Sequence, residues 1–255
     1  MKIYIFADME GISGISNSSF VLADQKNYQT GCKYLTRDVN VCAKACFDAG
    51  ADEVIIRDGH GAGTSIIWSE LIPGVQLIQG QTPGERFCNC AGSDGMILLG
   101  YHAMAGTQRA LLEHTYSSKG IQNIWMNGVR AGEFAIDTAI AGEHGIPVIM
   151  TSGCDKLCAE AKAFLPGVIT CQVKRSVSCQ SAILLAPEDS EKLLRAKTIE
   201  AIEKLKSGAM KPYQNPETVS IRTEFIERQE PFFDLVADRT TERTGTSIER
   251  VFLDR

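Results

Sequence analysis

No run of apolar residues in this 255-residue chain is long enough to cross a bilayer, which excludes a helical membrane span. Only Met1 and Lys2 precede the first apolar run, too little for a secretory leader, so a cytoplasmic address is expected. Basic residues are in the minority: 26 Lys and Arg against 31 Asp and Glu leave a net charge of −5, and no basic stripe offsets it locally. That balance gives no attraction to nucleic acid or to an anionic membrane, and neither is expected as a partner. The nine cysteines contain no CxxC and no pairs at zinc-ribbon spacing, and an odd number cannot pair completely within one chain. Reduced and mostly buried thiols are expected. Repeats, low-complexity tracts and a GxxxxGK[ST] phosphate loop are also missing.

What is present is an ordinary globular composition, 44% hydrophobic and 22% charged, in a chain long enough for one large α/β domain or a main domain with an appendage. Three short runs rich in Ile, Val and Leu read as buried parallel strands, and each ends in a residue able to bind metal. Ile3–Ala7 leads to Asp8 and Glu10, Glu53–Arg57 to Asp58 and His60, and Met96–Gly100 to Tyr101 and His102. Open α/β sheets bind ligands outside the carboxyl ends of their strands, so these side chains gather along one sheet edge.

Between the strands the spacing predicts helices. Leu35, Val39, Cys42 and Cys46 make the apolar face of one over about 28–49, and others are read at about 131–143 and 153–163. Asn127-Gly128 marks a hairpin turn. After Pro187 a long charged helix is followed by two strand-like segments, near 217–225 and 248–253. The expectation is an α/β fold, a mainly parallel sheet with helices on both faces, plus a smaller C-terminal α+β lobe. Residues 1–185 would form the metal-binding catalytic domain and 186–255 the lobe.

Asp8 and Glu10 leave an extended backbone on one side, and two carboxylates in a partly buried cleft repel unless a cation lies between them. Glu133 stands three and seven residues before Ile136 and Ile140, on the apolar stripe of its helix, where an unpaired carboxylate is costly. It is either protonated, paired, with Arg130 as the available partner, or bound to metal, and metal is the favoured reading. Asp58 either orients His60 or caps its turn. His144 lies in the last turn of a helix, where the dipole favours it.

Taken in order, Asp8-Met9-Glu10-Gly11-Ile12-Ser13-Gly14, Asp58-Gly59-His60 and Leu99-Gly100-Tyr101-His102-Ala103 resemble the bacterial zinc-dependent D-aminopeptidase family, self-compartmentalising enzymes of dipeptide-transport operons. Glu113-His114-Thr115, Gly132-Glu133, Pro147-Val148 and Thr244-Gly245-Thr246 extend the resemblance over essentially the whole chain. It implies two Zn²⁺ per chain held by Asp8, Glu10, His60, His102 and Glu133, with Asp8 shared between them. It implies His114 as the catalytic histidine, short peptides with N-terminal D-residues such as D-Ala as substrates, and a homo-oligomer, a decamer of two stacked rings. Tyr116, Trp125 and Met126 are candidates for the substrate pocket wall by position. The metal chemistry alone also admits a dinuclear phosphoesterase using Arg57, Arg86 or Arg109, or a non-catalytic peptide- or zinc-binding accessory of a transporter.

Overall fold

The three apolar runs that end in candidate ligands are adjacent strands of one sheet. In the computed structural model, which describes residues 1–229 and 238–253, β1 (Lys2–Ala7) lies between β2 (Glu53–Asp58) and β4 (Gly95–Tyr101), parallel to both. Outward from β2 lies β3 (Val75–Ile78); outward from β4 lie β7 (Val148–Cys154), β8 (Ile169–Ser178) and the antiparallel edge strand β9 (Ser181–Leu184). Along β1 the side chains alternate: Ile3 and Ile5 enter one core, Tyr4 and Phe6 the other. Both faces are covered, which is why the strand reads as a continuous apolar run.

On the first face α1 (Tyr28–Asp48) and α4 (Pro187–Lys206) pack together, bringing Leu35, Val39 and Cys46 against Leu194 and Ile202. The second face carries α2 (Glu133–Glu143) and α3 (Asp155–Phe164), through Phe134, Ile136, Leu157 and Ala161. A second, antiparallel sheet has the order β11 (Asp238–Gly245), β10 (Val219–Gln229), β5 (Ile121–Met126), β6 (Val129–Arg130). The β5–β6 turn uses Asn127 and Gly128, both at positive φ, as the hairpin dipeptide predicts. Segment 186–255 thus contributes α4 to the main sheet's cover and β10 and β11 to a sheet completed by residues 121–130.

One element differs in kind from its sequence reading. Residues 248–253 form a helix, α5 (Ile248–Leu253), not a strand. Ile248, Val251 and Phe252 recur at helical spacing and are buried, and the Ser247 hydroxyl accepts from the Arg250 amide as an N-cap does. The C-terminal strand that pairs with β10, on the side away from β5, is instead the polar β11, which lacks an apolar alternation to mark it. The described residues contain no disulfide, and no helix among them is long and apolar enough to cross a membrane.

Candidate metal centre

Strand order reverses between β1 and β4, because β2 and β3 lie on one side of β1 while β4 and β7 lie on the other. The crevice at such a switch point is where open α/β sheets place ligands. Asp8 and Glu10 follow β1, His60 follows β2 and His102 follows β4, so three consecutive strand ends feed the same crevice. Glu133 enters from the first turn of α2 and His114 from the long loop between β4 and β5.

The loop after β1 is held tightly. The Asp8 amide donates to Leu99 O at 2.8 Å and the Gly11 amide to Gly100 O at 2.7 Å, which ties this loop to the end of β4. Lys174, fully buried on β8, donates to the carbonyls of Glu10, Ile12 and Ile15 at 2.6, 2.8 and 3.0 Å, and Asp38 accepts from the Ser13 amide at 2.9 Å. Asp58 accepts from the amides of Ser65 and Ile66 at 2.6 and 2.7 Å. Of its two sequence readings, it takes the turn-capping one and shapes the loop that carries His60.

These supports bring together all six residues singled out by sequence. Asp8, Glu10 and His60 form one cluster, with His60 Nδ1 3.2 Å from both Asp8 Oδ1 and Glu10 Oε2. His102, His114 and Glu133 form the other, in which His102 Nε2 is 3.3 Å from Glu133 Oε1 and His114 Nε2 is 3.7 Å from the same oxygen. Asp8 links the two: its second oxygen, Oδ2, lies 3.5 Å from His102 Nε2.

The imidazole orientations follow from their other nitrogens. His60 Nε2 donates to Val21 O at 2.8 Å, His102 Nδ1 to Ala103 O at 3.1 Å and His114 Nδ1 to Leu112 O at 2.9 Å. A carbonyl can only accept, so each of these nitrogens carries the proton and the opposite nitrogen turns its lone pair towards carboxylate oxygens. Lone pairs facing lone pairs repel unless a proton or a cation lies between them. Glu10 Oε2 and His102 Nε2 are buried without a hydrogen bond. A backbone carbonyl behind each imidazole is the usual support of a metal-ligating histidine, and carboxylate with imidazole is a donor set that suits zinc. The residues fit a metal pair.

Protons respond to the same field. Burial and the neighbouring Glu10 push the Asp8 carboxyl up to about 6. Burial also opposes ionisation of Glu133, but the imidazoles of His102 and His114 outweigh it and hold the carboxyl down to about 2. For His102 burial disfavours the charged ring, yet Glu133 and Asp8 raise it to about 10. Burial likewise disfavours the charged His60 ring, but Glu10 and Asp8 together outweigh it and hold its pKa well above the ordinary value. The pocket is built to bind positive charge.

A cleft of about 600 Å³ opens over this cluster, walled by His60, His114, Tyr116, Tyr28 and Arg86. His114 is 18% exposed while His102, stacked against it with ring centroids 4.0 Å apart, is 2% exposed, so His114 is the histidine of this pair that meets the cleft. It sits between Leu112 and Tyr116, both held at positive φ, a strained backbone for such side chains.

Several partners are not evident from sequence. Arg130 does not pair Glu133; its guanidinium donates to Ala105 O, and Arg86 approaches Glu133 Oε2 instead, at 3.8 Å. Arg86 is clamped by Asp137 through two bonds of 2.9 and 2.7 Å, and Asp137 also accepts from the hydroxyls of Tyr101 and Tyr116. The helix that holds Glu133 is buried on nearly every side, so Asp137 shares its burial, and the four-residue spacing of the two acids was the available signal. Of the pocket-wall candidates, Tyr116 lines the cleft. Met126 is buried in the core, and Trp125 lies under Arg222 in the second sheet.

Paired clusters of carboxylate and imidazole at the switch point of a doubly covered parallel sheet define a metal-dependent hydrolase of the α/β class. The chain belongs to the D-aminopeptidase family, whose sequence profile matches residues 1–249. A D-aminopeptidase of Bacillus subtilis (strain 168) is 30% identical over 251 residues, covering 97% of this chain and 89% of the relative. The solved structure of a Zn-dependent D-aminopeptidase from Bacillus subtilis, DppA, described as a self-compartmentalizing protease, superposes with a TM-score of 0.90 at 26% identity. That match covers 99% of this chain and 94% of the other.

Proposed function

We propose that this protein is a zinc-dependent aminopeptidase that releases N-terminal D-residues, D-Ala among them, from short peptides. One observation carries the assignment of the site: three imidazoles, each pinned by a backbone carbonyl, turn their free nitrogens onto three carboxylates linked by Asp8. Asp8, Glu10 and His60 would hold one Zn²⁺, and Asp8, His102 and Glu133 the other. When bound, such a pair supplies an acidified water and a Lewis acid for the scissile carbonyl. Membership of the family and the zinc dependence stated for the solved relative support the choice of metal and reaction.

The chain's own residues then divide the work. A free, neutral amino terminus is a donor that such a metal pair would accept and a blocked one is not, which would make the reaction exopeptidic. His114, exposed to the cleft and carrying its proton on Nδ1, has Nε2 free to take a proton from the attacking water and deliver it to the leaving amine. Residues 1–185 contain all six of these groups and are assigned the catalytic role. Assembly into a closed ring, a decamer, in the cytoplasm is part of the proposal, supported by the self-compartmentalizing character stated for the solved relative.

Amine release from D-Ala-D-Ala by zinc-loaded protein, beside L-Ala-L-Ala and N-acetyl-D-Ala-D-Ala, tests the reading. The expected result is turnover of the D-dipeptide alone, abolished by a chelator. Turnover of the L-dipeptide would remove the stereochemistry and keep the metal peptidase. Hydrolysis of a phosphodiester with none of any peptide would replace the reaction.

A further inference from the structure

Beside the metal cleft lies a second one of about 340 Å³, and the two share Gly59, Gly61, Arg86 and Tyr116 as a common wall. The side chain that sets its chemistry is Arg57, the residue of β2 just before Asp58. Arg57 is 7% exposed, yet its guanidinium is poorly satisfied. It makes two long contacts, to Ile78 O at 3.4 Å and Thr82 Oγ1 at 3.3 Å, and its Nε is buried without a partner. No carboxylate among the described residues forms an ion pair with it; Arg86, by contrast, is doubly bonded to Asp137. A guanidinium offers five N–H donors in a planar fork, and leaving one buried and unpaired is costly unless it is kept for a ligand. Glu85 also borders the cleft, but it is exposed and forms no ion pair with Arg57.

The fork matches a carboxylate, and a peptide held at the metal cleft by its amino end carries one at its other end. Beyond the scissile carbonyl, each extended residue adds about 3.5 Å, so a short peptide lying along the wall of Gly59, Gly61, Arg86 and Tyr116 would carry its terminal carboxylate towards the second cleft. We propose that Arg57 and the cleft it floors form the subsite for the C-terminal carboxylate of the peptide substrate, selecting short peptides with a free C-terminus. This rests on the aminopeptidase reading above and adds to it a specificity residue and a length limit.

The test compares D-Ala-D-Ala and D-Ala-D-Ala-D-Ala with their C-terminal amides on zinc-loaded full-length protein, then repeats the comparison with Arg57→Gln and Arg57→Lys. For at least one length, the free acid should be preferred by about 10- to 100-fold in kcat/KM, the weight of a lost charge-assisted pair, with the difference carried by KM. In Arg57→Gln the acid-to-amide ratio should collapse towards one, while Arg57→Lys retains part of it. If Arg57→Gln does not fold, the wild-type ratio and Arg57→Lys decide the matter. Equal use of acid and amide at both lengths overturns the subsite and leaves the aminopeptidase standing. No turnover of any of the four peptides overturns both. Competitive inhibition by inorganic phosphate without acid–amide discrimination would overturn it in favour of a phosphorylated ligand.

Discussion

Gly11 and Gly100 meet backbone to backbone, the amide of the first donating to the carbonyl of the second at 2.7 Å, and neither position has room for a side chain. A Cβ at Gly11 would lie 1.9 Å from Tyr101 O, and one at Gly100 would lie 2.2 Å from Asp8 O. Gly100 also requires positive φ. This contact sets the end of β1 against the end of β4 and so places Asp8 beside His102. Gly11→Ala must therefore separate the strand ends. The expected outcome is a loss of about 2–4 kcal/mol in urea unfolding together with loss of bound zinc. Near-normal stability and zinc content would show that the contact is not what positions the ligands.

His114 and His102 are stacked but not equivalent. His102→Ala removes a buried donor between Asp8 and Glu133 and should lower zinc content as well as activity. His114→Ala should keep both metal ions and lose about 10²–10⁴-fold in kcat, the usual weight of a proton-transfer group. Metal analysis beside steady-state kinetics separates the two. Loss of zinc from His114→Ala would reassign that residue as a ligand.

Lys174 reaches the metal centre only through backbone. Three carbonyls converge on its Nζ, and only the ammonium form supplies three hydrogens, although burial pushes its pKa down to about 7. Lys174→Met leaves those carbonyls unpaired and loosens the loop that carries Glu10. Zinc affinity, measured by competition with a chromogenic chelator, should weaken by about 10- to 100-fold, as for other groups that orient ligands. An unchanged affinity would confine Lys174 to general stability.

His144 joins α2 to α5 through Glu249, with Nε2 and Oε2 2.9 Å apart. The hydrogen bond to Glu249 raises the His144 pKa above 6.5. For Glu249, burial pulls upward, but His144 holds its carboxyl below 4.5. A raised histidine pKa stabilises fully below the unfolded value of 6.5 and loses that effect as pH rises through the folded value. The depressed glutamate stabilises above 4.5 and loses its effect as pH falls through its own folded value. The pair therefore contributes most between these two unfolded values, and about 0.5 kcal/mol after solvent screening. The stability difference between wild type and His144→Gln should be largest near pH 5.5 and shrink by pH 9, as read by urea denaturation. A difference independent of pH would exclude the ion pair.

Asp8, Glu10, His60 and His102 were legible in the sequence because strand signals are local. A run such as Ile3–Ala7 shows both its buried character and its end, and the α/β sheet rule converts strand ends into one shared edge. Asn127-Gly128 fixed its turn in the same way, since only residues tolerant of positive φ fit there. His114 has no periodicity to mark it, and resemblance alone identified it. Residues 248–253 read as a strand although Ile248, Val251 and Phe252 already carry helical spacing, and the polar β11 leaves no mark in the sequence because it lacks an apolar alternation. Tertiary structure alone decided which long-range partners meet: Lys174 with Glu10 across 164 residues, Arg86 with Asp137 across 51, and Arg57, without a carboxylate partner among the described residues, beside the metal cleft. Backbone preference is settled by neighbours within a few residues, whereas partners for a buried charge are settled by which strand ends the folded sheet brings together.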